Sequence, residues 1–443
     1  MNGRWQEAWR WVLPGTGLKR WGALVLAGTL MAAAGGAAYG RGVGGEAGLL
    51  AVLGGAVVAL VALRETVMAV AGTLAPERTR FLADVMRQRR ERERGPRAVV
   101  LGGGTGLATL LRGLKLYSDR LTAVVTVADD GGSSGRLRQE MGILPPGDIR
   151  NTLVAMADTE PLLERLFQYR FTRGEGLSGH SFGNLFIAAM SDITGDFQEA
   201  IRQFSRVLAV RGQVLPSTLQ AVRLRAVYSD GSSVVGESEI PKARRPIRRV
   251  YLVPPNVKAV PEAIEAIEAA DIVVLGPGSL YTSVIPNLLV EDVAAALRRT
   301  SALRLYVCNV MTQPGETDGY RASDHVRAIL QHVPGPRVVD CVLVNTGEVP
   351  AHLLERYLAE GARPVEADVA EMQGMGLVVV SGPLISLTQV VRHDPVRLAE
   401  AVAALAGLGR QVGEPGEHLT VEEVLARGQQ RGRTGLRRHV LLV

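Results

Sequence analysis

The sequence predicts an α/β protein, a Rossmann-like doubly wound αβα domain with a helical and β-hairpin insert, preceded by a two-helix membrane hairpin. Three observations predict it. Short β-type runs end in glycine-rich loops and pass directly into helical patterns; the same alternation returns after Pro261; and two nearly uncharged apolar stretches open the chain.

The apolar stretches are Trp21 to Gly40 and Ala47 to Leu63. Each is about long enough to cross a bilayer as a helix, at the short end of the range. Arg4, Arg10, Lys19 and Arg20 precede the first, and Arg78, Arg80, Arg87, Arg89, Arg90, Arg92 and Arg94 follow the second. Basic flanks on both sides put both ends in the cytoplasm, with a short outer turn near residues 41–46. A cleaved signal peptide ending near Ala37 and Ala38 is a competing reading, opposed by the second stretch and by the arginines after it. A buried soluble hairpin is another. Residues 1–75 are assigned to the hairpin, and 76–96 to a charged linker that is a solvated helix or a lipid-facing segment.

The main domain is assigned to residues 97–395. Its first unit is a strand, Ala98 to Leu101, then Gly102-Gly-Gly-Thr-Gly106, then a helix whose Leu107, Leu110, Leu111 and Leu114 share a face. Glycines let main-chain N–H groups approach a phosphate, and a helix N-terminus offers unpaired donors and partial positive charge. The loop is not a full GxGxxG, since Leu107 stands at the last glycine position. A second run, Leu121 to Ala128, ends in Asp129-Asp-Gly-Gly-Ser-Ser-Gly135, about where such units place a ribose-binding acid.

Residues 148–255 read as the insert. The pattern is mostly helical to about Val210 and surrounds the pocket. Then Val222, Leu224 and Ala226 alternate with Arg223 and Arg225, a turn follows at Ser229 to Ser232, and Val234-Val235 resumes the run, which is a β-hairpin. Arg244, Arg245, Arg248 and Arg249 read as a solvated basic loop, with phosphate contact as the rival. Further buried strands are read at Ile272 to Leu275, Leu303 to Cys308 and Val338 to Asn345. The remaining 396–443 is a C-terminal piece with a helix near Val421 to Ala426 and a mobile tail bearing Arg427, Arg431, Arg433, Arg437 and Arg438.

Composition narrows the chemistry. The 443 residues are 47% hydrophobic, enough for a large core. Cys308 and Cys341 sit in apolar runs, as reduced buried thiols do. The formal charge of +6 is concentrated in the termini and linker, and without interleaved aromatics it gives no nucleic-acid signature.

Candidate ligand contacts follow from the loops. Gly102, Gly103, Gly104, Thr105 and Gly106 offer main-chain donors. Asp129 and Asp130 bind a ribose hydroxyl or a divalent cation, or else cap a turn. Ser133 and Ser134 add hydroxyls at a helix entry. Asp148 and Asn151, in Pro145-Pro-Gly-Asp-Ile-Arg-Asn151, orient a sugar or metal-bound water, or cap a helix. His180 and Asn184, in Gly179-His-Ser-Phe-Gly-Asn184, either touch ligand or hold structure. Gly276, Gly278, Ser279, Tyr281 and Thr282 form the second half of the pocket, Tyr281 stacking on a base, bonding a sugar or packing under the loop. Asn309, Thr312 and Gln313 follow the next strand in the same way.

Together these segments, with Pro286-Asn287 and Asn309 to Asp318, resemble the YvcK/CofD-like family, and within it the YvcK branch of gluconeogenesis factors, from near Ala98 to near Asp394. The resemblance implies binding of a UDP-sugar, above all UDP-N-acetylglucosamine, and support of cell shape and wall synthesis in gluconeogenic growth. It implies no cofactor for binding; Mg2+ would serve the alternative, a CofD-like 2-phospholactate transferase acting on a nucleotide-activated substrate. The acidic motif at Asp129 to Ser134 is of the YvcK kind, which lowers the case for turnover. The expected partners are the UDP-sugar, a cell-wall or regulatory protein and the membrane, with no nucleic acid; homo-oligomerisation is left open. The membrane hairpin departs from the soluble pattern expected of this family.

Overall fold

The computed structural model describes residues 18–42, 45–74, 86–158, 161–387 and 390–430. It divides into two compact units, Met1–Arg90 and Glu91–Val443. The flanking residues Arg4, Arg10, Arg78 and Arg80, and the tail from Arg431 on, lie outside the described residues.

The first unit is a helical pair, Leu18–Gly40 and Gly45–Leu74. Glycine sets their closeness: a Cβ on Gly28 would lie 2.7 Å from the Ala59 nitrogen, and one on Gly35 would lie 2.7 Å from the Ala51 Cβ. Small residues let two helices approach where no hydrophobic effect drives them together. The stretches Arg20–Gly40 and Gly45–Thr66 are long and apolar enough to cross a membrane. Leu26, Leu50 and Leu60 are each more than 60% exposed, at 64%, 69% and 66%. Water penalises such an outward leucine face, and lipid does not.

The second unit is built on one sheet of eight parallel strands, in the order β13-β10-β9-β8-β7-β1-β2-β3. These are β1 (Ala98–Gly102), β2 (Leu121–Val125), β3 (Gln213–Pro216), β7 (Ile272–Leu275), β8 (Leu303–Val307), β9 (Cys341–Asn345), β10 (Val378–Gly382) and β13 (His418–Thr420). The central strands are apolar without alternation and buried on both faces, as parallel sheets covered by helices are. Cys308 and Cys341 are free buried thiols, as expected.

Three strands of this sheet lie where the sequence predicts none. β3 joins the main sheet beside β2, so residues 148–255 are two excursions separated by a sheet strand, not one insert. β10 and β13 extend the opposite side, and the helix Pro395–Leu408 packs on the helix Gly104–Leu114. The C-terminal piece from 396 is therefore part of the core. The first excursion is helical, and Phe167, Phe182, Phe186 and Phe204 cluster at its centre.

The second excursion is an antiparallel sheet in the order β5-β4-β6, made of β4 (Arg223–Tyr228), β5 (Ser233–Val235) and β6 (Ile247–Val253). The hairpin is as expected. Arg248 and Arg249, expected in a loop, belong to β6. A small hairpin, β11 (Ile385–Leu387) with β12 (Val391–His393), lies outside both sheets.

Gly113 marks the tightest helix contact, because a Cβ there would run into the Pro395 carbonyl oxygen. Gly113→Ala is expected to cost about 1–3 kcal/mol through overpacking, read from the urea midpoint of the Glu91–Val443 unit. An unchanged midpoint would show that the two helices separate freely.

Candidate functional site

The sheet changes direction between β1 and β7. From β1 the chain winds outward through β2 and β3, then returns to the other side of β1 as β7 and winds the opposite way. Loops leaving the carboxyl ends of these two neighbouring strands diverge there, and ligands of open α/β sheets bind in the crevice between them. A cavity of about 250 Å³ lies at that place, lined by Gly103, Gly104, Thr105, Gly106, Thr126, Asp129, Asp148, Glu237, Gly278, Ser279, Thr282 and Ser283. Small-molecule sites run to about 300–1,000 Å³. The volume suits the diphosphate or one sugar of a nucleotide, with the remainder lying outside.

The first glycine loop forms one wall. Gly103 is extended before the helix Gly104–Leu114 and carries no N-cap side chain; the Gly104 N–H is bonded to the Asp148 carboxyl, which leaves the N–H groups of the following residues of the first turn to meet a ligand. Gly104 has φ +66, a left-handed conformation that favours glycine. A Cβ on Gly106 would sit 2.6 Å from the Pro277 oxygen, so this glycine lets the β1 and β7 loops touch. Asn287 ties them further, donating to the carbonyls of Gly102 (3.1 Å) and Ser283 (2.8 Å).

The second wall is the Gly276 to Ser283 loop. Asn309 grips Gly278 at two points, accepting its N–H at 3.2 Å and donating to its carbonyl at 2.8 Å. Gln313 donates to the Ser279 hydroxyl at 2.7 Å. Beneath, Glu316 accepts the Tyr281 N–H (3.3 Å) and the Thr282 hydroxyl (3.1 Å), and burial raises its pKa to about 7.

Three carboxylates complete the enclosure. Asp129 accepts the Gly131 N–H at 2.9 Å and is pushed up chiefly by burial. Asp148 is raised to about 7, first by burial and then by the Asp129 charge, while the Gly104 N–H and the Arg150 charge oppose the rise. Glu237 reaches about 8, from burial and then the charges of Asp129 and Asp148. None of the residues lining the cavity is Lys or Arg. An anion entering it would meet glycine N–H groups on one side and partly protonated acids on the other.

Nine of the predicted residues line the cavity: Gly103, Gly104, Thr105, Gly106, Asp129, Asp148, Gly278, Ser279 and Thr282. Others stand behind the wall. Gly102 and Gly276 bring the strand ends into contact, with a Cβ on Gly102 3.9 Å from the Gly276 Cα. Asn309 and Gln313 hold the loop rather than face the space. Tyr281 is buried and its hydroxyl meets that of Tyr320 at 2.7 Å, which makes it packing under the loop. Thr312 is paired with Arg363, and Asn151 accepts from Arg150.

Two groups are organised differently from the expectation. The Asp129 and Asp130 pair is split: Asp130 accepts the main-chain N–H groups of Ser238 (3.0 Å) and Glu237 (3.2 Å), which fixes the loop that carries Glu237. Among the described residues no three His, Cys, Asp or Glu side chains are arranged to hold a metal ion. His180, Ser133 and Asn184 form a buried knot beside the site. Asn184 donates to the Ser133 hydroxyl (3.1 Å), and that hydroxyl meets His180 Nδ1 (3.0 Å). Burial and then the Arg136 charge hold His180 below the usual imidazole range, which suits a neutral ring accepting at Nδ1. Ser134 accepts the Gly147 N–H at 3.1 Å and so links the second glycine loop to the Asp148 turn.

Thr126, Ser283 and Glu237 line the cavity without having been singled out in the sequence. Thr126 and Ser283 flank motifs that were, and a wider window around each loop contains them. Glu237 has no such signal, because it arrives from the far side of a surface hairpin.

A carboxyl whose folded pKa is raised favours the folded state while protonated, and that contribution is lost as pH rises through the folded value. For Asp148 the window runs from its ordinary range up to about 7. Asp148→Asn, which keeps an acceptor for the Gly104 N–H, is expected to melt several degrees above the parent at pH 8.5 and to match it near pH 3.5, below the ordinary carboxyl range. Scanning calorimetry at both values decides; equal melting at pH 8.5 would mean that Asp148 is not held against its charge.

The comparisons agree with this fold. Residues 98–385 match the family profile described as 2-phospho-L-lactate transferase CofD. The gluconeogenesis factor of Bacillus subtilis (strain 168) is 50% identical over 311 residues, which is 70% of this chain and 98% of that protein. The gluconeogenesis factor of Halalkalibacterium halodurans is 51% identical over 305 residues, 69% of this chain and 94% of that one. A relative from Nostoc sp. (strain PCC 7120) is 48% identical over 422 residues and covers 90% of this chain, more than Glu91–Val443 contains, so likeness extends into the N-terminal unit. A crystal structure of a UPF0052 family protein from Bacillus halodurans superposes with a TM-score of 0.67 at 50% identity, covering 69% of this chain and 98% of that one. That protein consists almost wholly of the part matching the second unit, so this part folds on its own.

Proposed function

The chain belongs to the CofD family, together with the gluconeogenesis factors, and on that footing we propose that it is a UDP-sugar-binding regulatory protein held at the cytoplasmic face of the membrane. Its ligand is UDP-N-acetylglucosamine, and its role is to couple a wall precursor to cell shape and wall synthesis in gluconeogenic growth. The observation that carries the reading is the convergence of two glycine loops at the switch point around one cavity sized for a diphosphate or a sugar. The diphosphate takes the main-chain N–H groups at the start of the Gly104–Leu114 helix, and Ser279, Thr282 and the carboxyls accept or donate to hydroxyls. The two apolar helices support the membrane location. A regulator needs no more than this, since binding alone can shift a conformational equilibrium.

A second reading, a metal-dependent transferase of 2-phospholactate type, is favoured by the family profile and by the three carboxyls around the cavity. It requires a cation to offset charge on a transferred phosphoryl group. Such a cation would be held by one or two of these carboxyls together with phosphate oxygens and water.

Calorimetry on the Glu91–Val443 unit separates the two. Micromolar binding of UDP-N-acetylglucosamine without Mg2+, unaccompanied by turnover, is the expected result; GDP binding that needs Mg2+, with no UDP-sugar binding, would favour the transferase. The pH dependence has opposite signs in the two cases. With Asp148 and Glu237 raised to about 7 and about 8, metal-free binding of a diphosphate tightens as pH falls from 9 to 6, because the carboxyls lose charge. Binding through a cation weakens over the same interval. The full chain is expected in the membrane fraction after alkaline carbonate extraction, and the unit from Glu91 in the soluble fraction.

A further inference from the structure

The antiparallel sheet β5-β4-β6 has one face in the core and one in solvent. Leu224, Ala226, Tyr228, Val250 and Leu252 face inward and are buried. The outward residues follow from the register: Arg225 lies opposite Tyr251 on one side and Val235 on the other, Val227 lies opposite Arg249, and Arg223 lies opposite Val253. The face thus carries Arg223, Arg225 and Arg249 around Tyr251, Val235 and Val253, which are 41%, 38% and 40% exposed. The Arg249 guanidinium rests 5.8 Å from the Tyr251 ring centre, so the two are held together.

No acidic residue occurs in any of the three strands. Nor does any of these three arginines form an ion pair among the described residues; the nearby Arg245 is paired with Asp230, and Lys242 with Glu239. The edge is not the free feature, since the Val250 N–H on β6 is already bonded to His332 Nε2 at 2.9 Å.

We propose that this face docks on an anionic lipid bilayer. Arginines bring charge opposite to the lipid headgroups, and their stems with Tyr251, Val235 and Val253 provide the amphipathic layer that settles at a membrane interface. The choice of a bilayer over an acidic protein rests on the proposed membrane location: the same chain carries two helices apolar enough to cross a membrane, so a lipid surface is always within reach of the tether. Docking through the sheet presents the second unit to the membrane in one orientation.

The test uses the fragment 91–430, which lacks both the hairpin and the arginine-rich tail, so that neither can mimic the sheet. Vesicles of phosphatidylcholine with one-third phosphatidylglycerol are compared with phosphatidylcholine alone by co-sedimentation at low and physiological salt. The fragment is expected to sediment only with the anionic vesicles, less so as salt rises. The triple variant Arg225→Glu, Arg249→Glu and Tyr251→Ser is expected to bind them at least tenfold more weakly while its melting temperature and UDP-sugar affinity stay those of the parent. Anionic binding that the triple variant retains, or equal binding to both vesicle types, overturns the proposal. So does absence of vesicle binding together with capture of polyglutamate, which identifies an acidic protein surface as the partner. The carbonate extraction of the full chain is read separately, so a failed tether and a failed docking face give different results.

Discussion

Everything at the site depends on the reversal of winding between β1 and β7. Strands on either side are added in opposite directions, so the loops at their carboxyl ends must part, and the crevice is a consequence of topology before any side chain is chosen. Glycine then decides how close the two loops come. Gly106 allows the Pro277 carbonyl to lie against the first turn of the helix, and Asn287 and Asn309 convert that closeness into hydrogen bonds. The walls are fixed by close glycine backbone contacts and by Asn287, Asn309, Gln313 and Glu316 behind them, and Thr282, Ser283 and the carboxyls face the space between.

Much of this was legible in the sequence because it is local. A strand ending in glycines before a helix is read within one window, and Gly103 to Gly106, Asp129, Gly278 and Thr282 all fall in such windows. Tyr281 shows where local reading stops: its position beside the glycines is visible, but its direction, under the loop and toward Tyr320, is set by packing from another segment. Asp130 is a similar case, its carboxylate committed to main-chain groups more than a hundred residues further on. The strand β6 escaped for a different reason. The register slips between Val227 and Tyr228, so Arg248 is an extra residue and the alternation that betrays a half-buried strand is broken. β3 and β13 offer only Val214 with Leu215, and Leu419, as apolar positions, too few for a run to stand out, whereas β10 opens on Val378, Val379 and Val380, a run as legible as that of β1.

The electrostatics of the cavity set two demands against each other. Gathering Asp129, Asp148 and Glu237 in one enclosure raises each carboxyl chiefly through burial, the charge of Asp129 adding to the rise at Asp148 and Glu237, and a phosphate would normally be repelled there. Protonation near neutral pH relaxes the conflict, because a neutral carboxyl can donate to a phosphate or sugar oxygen as well as accept. The helix N-terminus supplies the complementary field from the other side.

The clamp between Asp130 and the loop after β5 has a further consequence. Glu237 follows a sheet whose inner face packs into the main core, and Asp130 seats it through two main-chain hydrogen bonds, beside the Gly236 N–H bonded to the Leu224 carbonyl at 2.8 Å. The cavity is thus bounded by two kinds of wall: at Gly106 a Cβ would meet the Pro277 carbonyl, so shape there is set by backbone, whereas at Glu237 the boundary is a side chain delivered from a distant segment, so its position follows the Asp130 clamp. Loosening that clamp would open the enclosure from one side while the glycine wall kept its form.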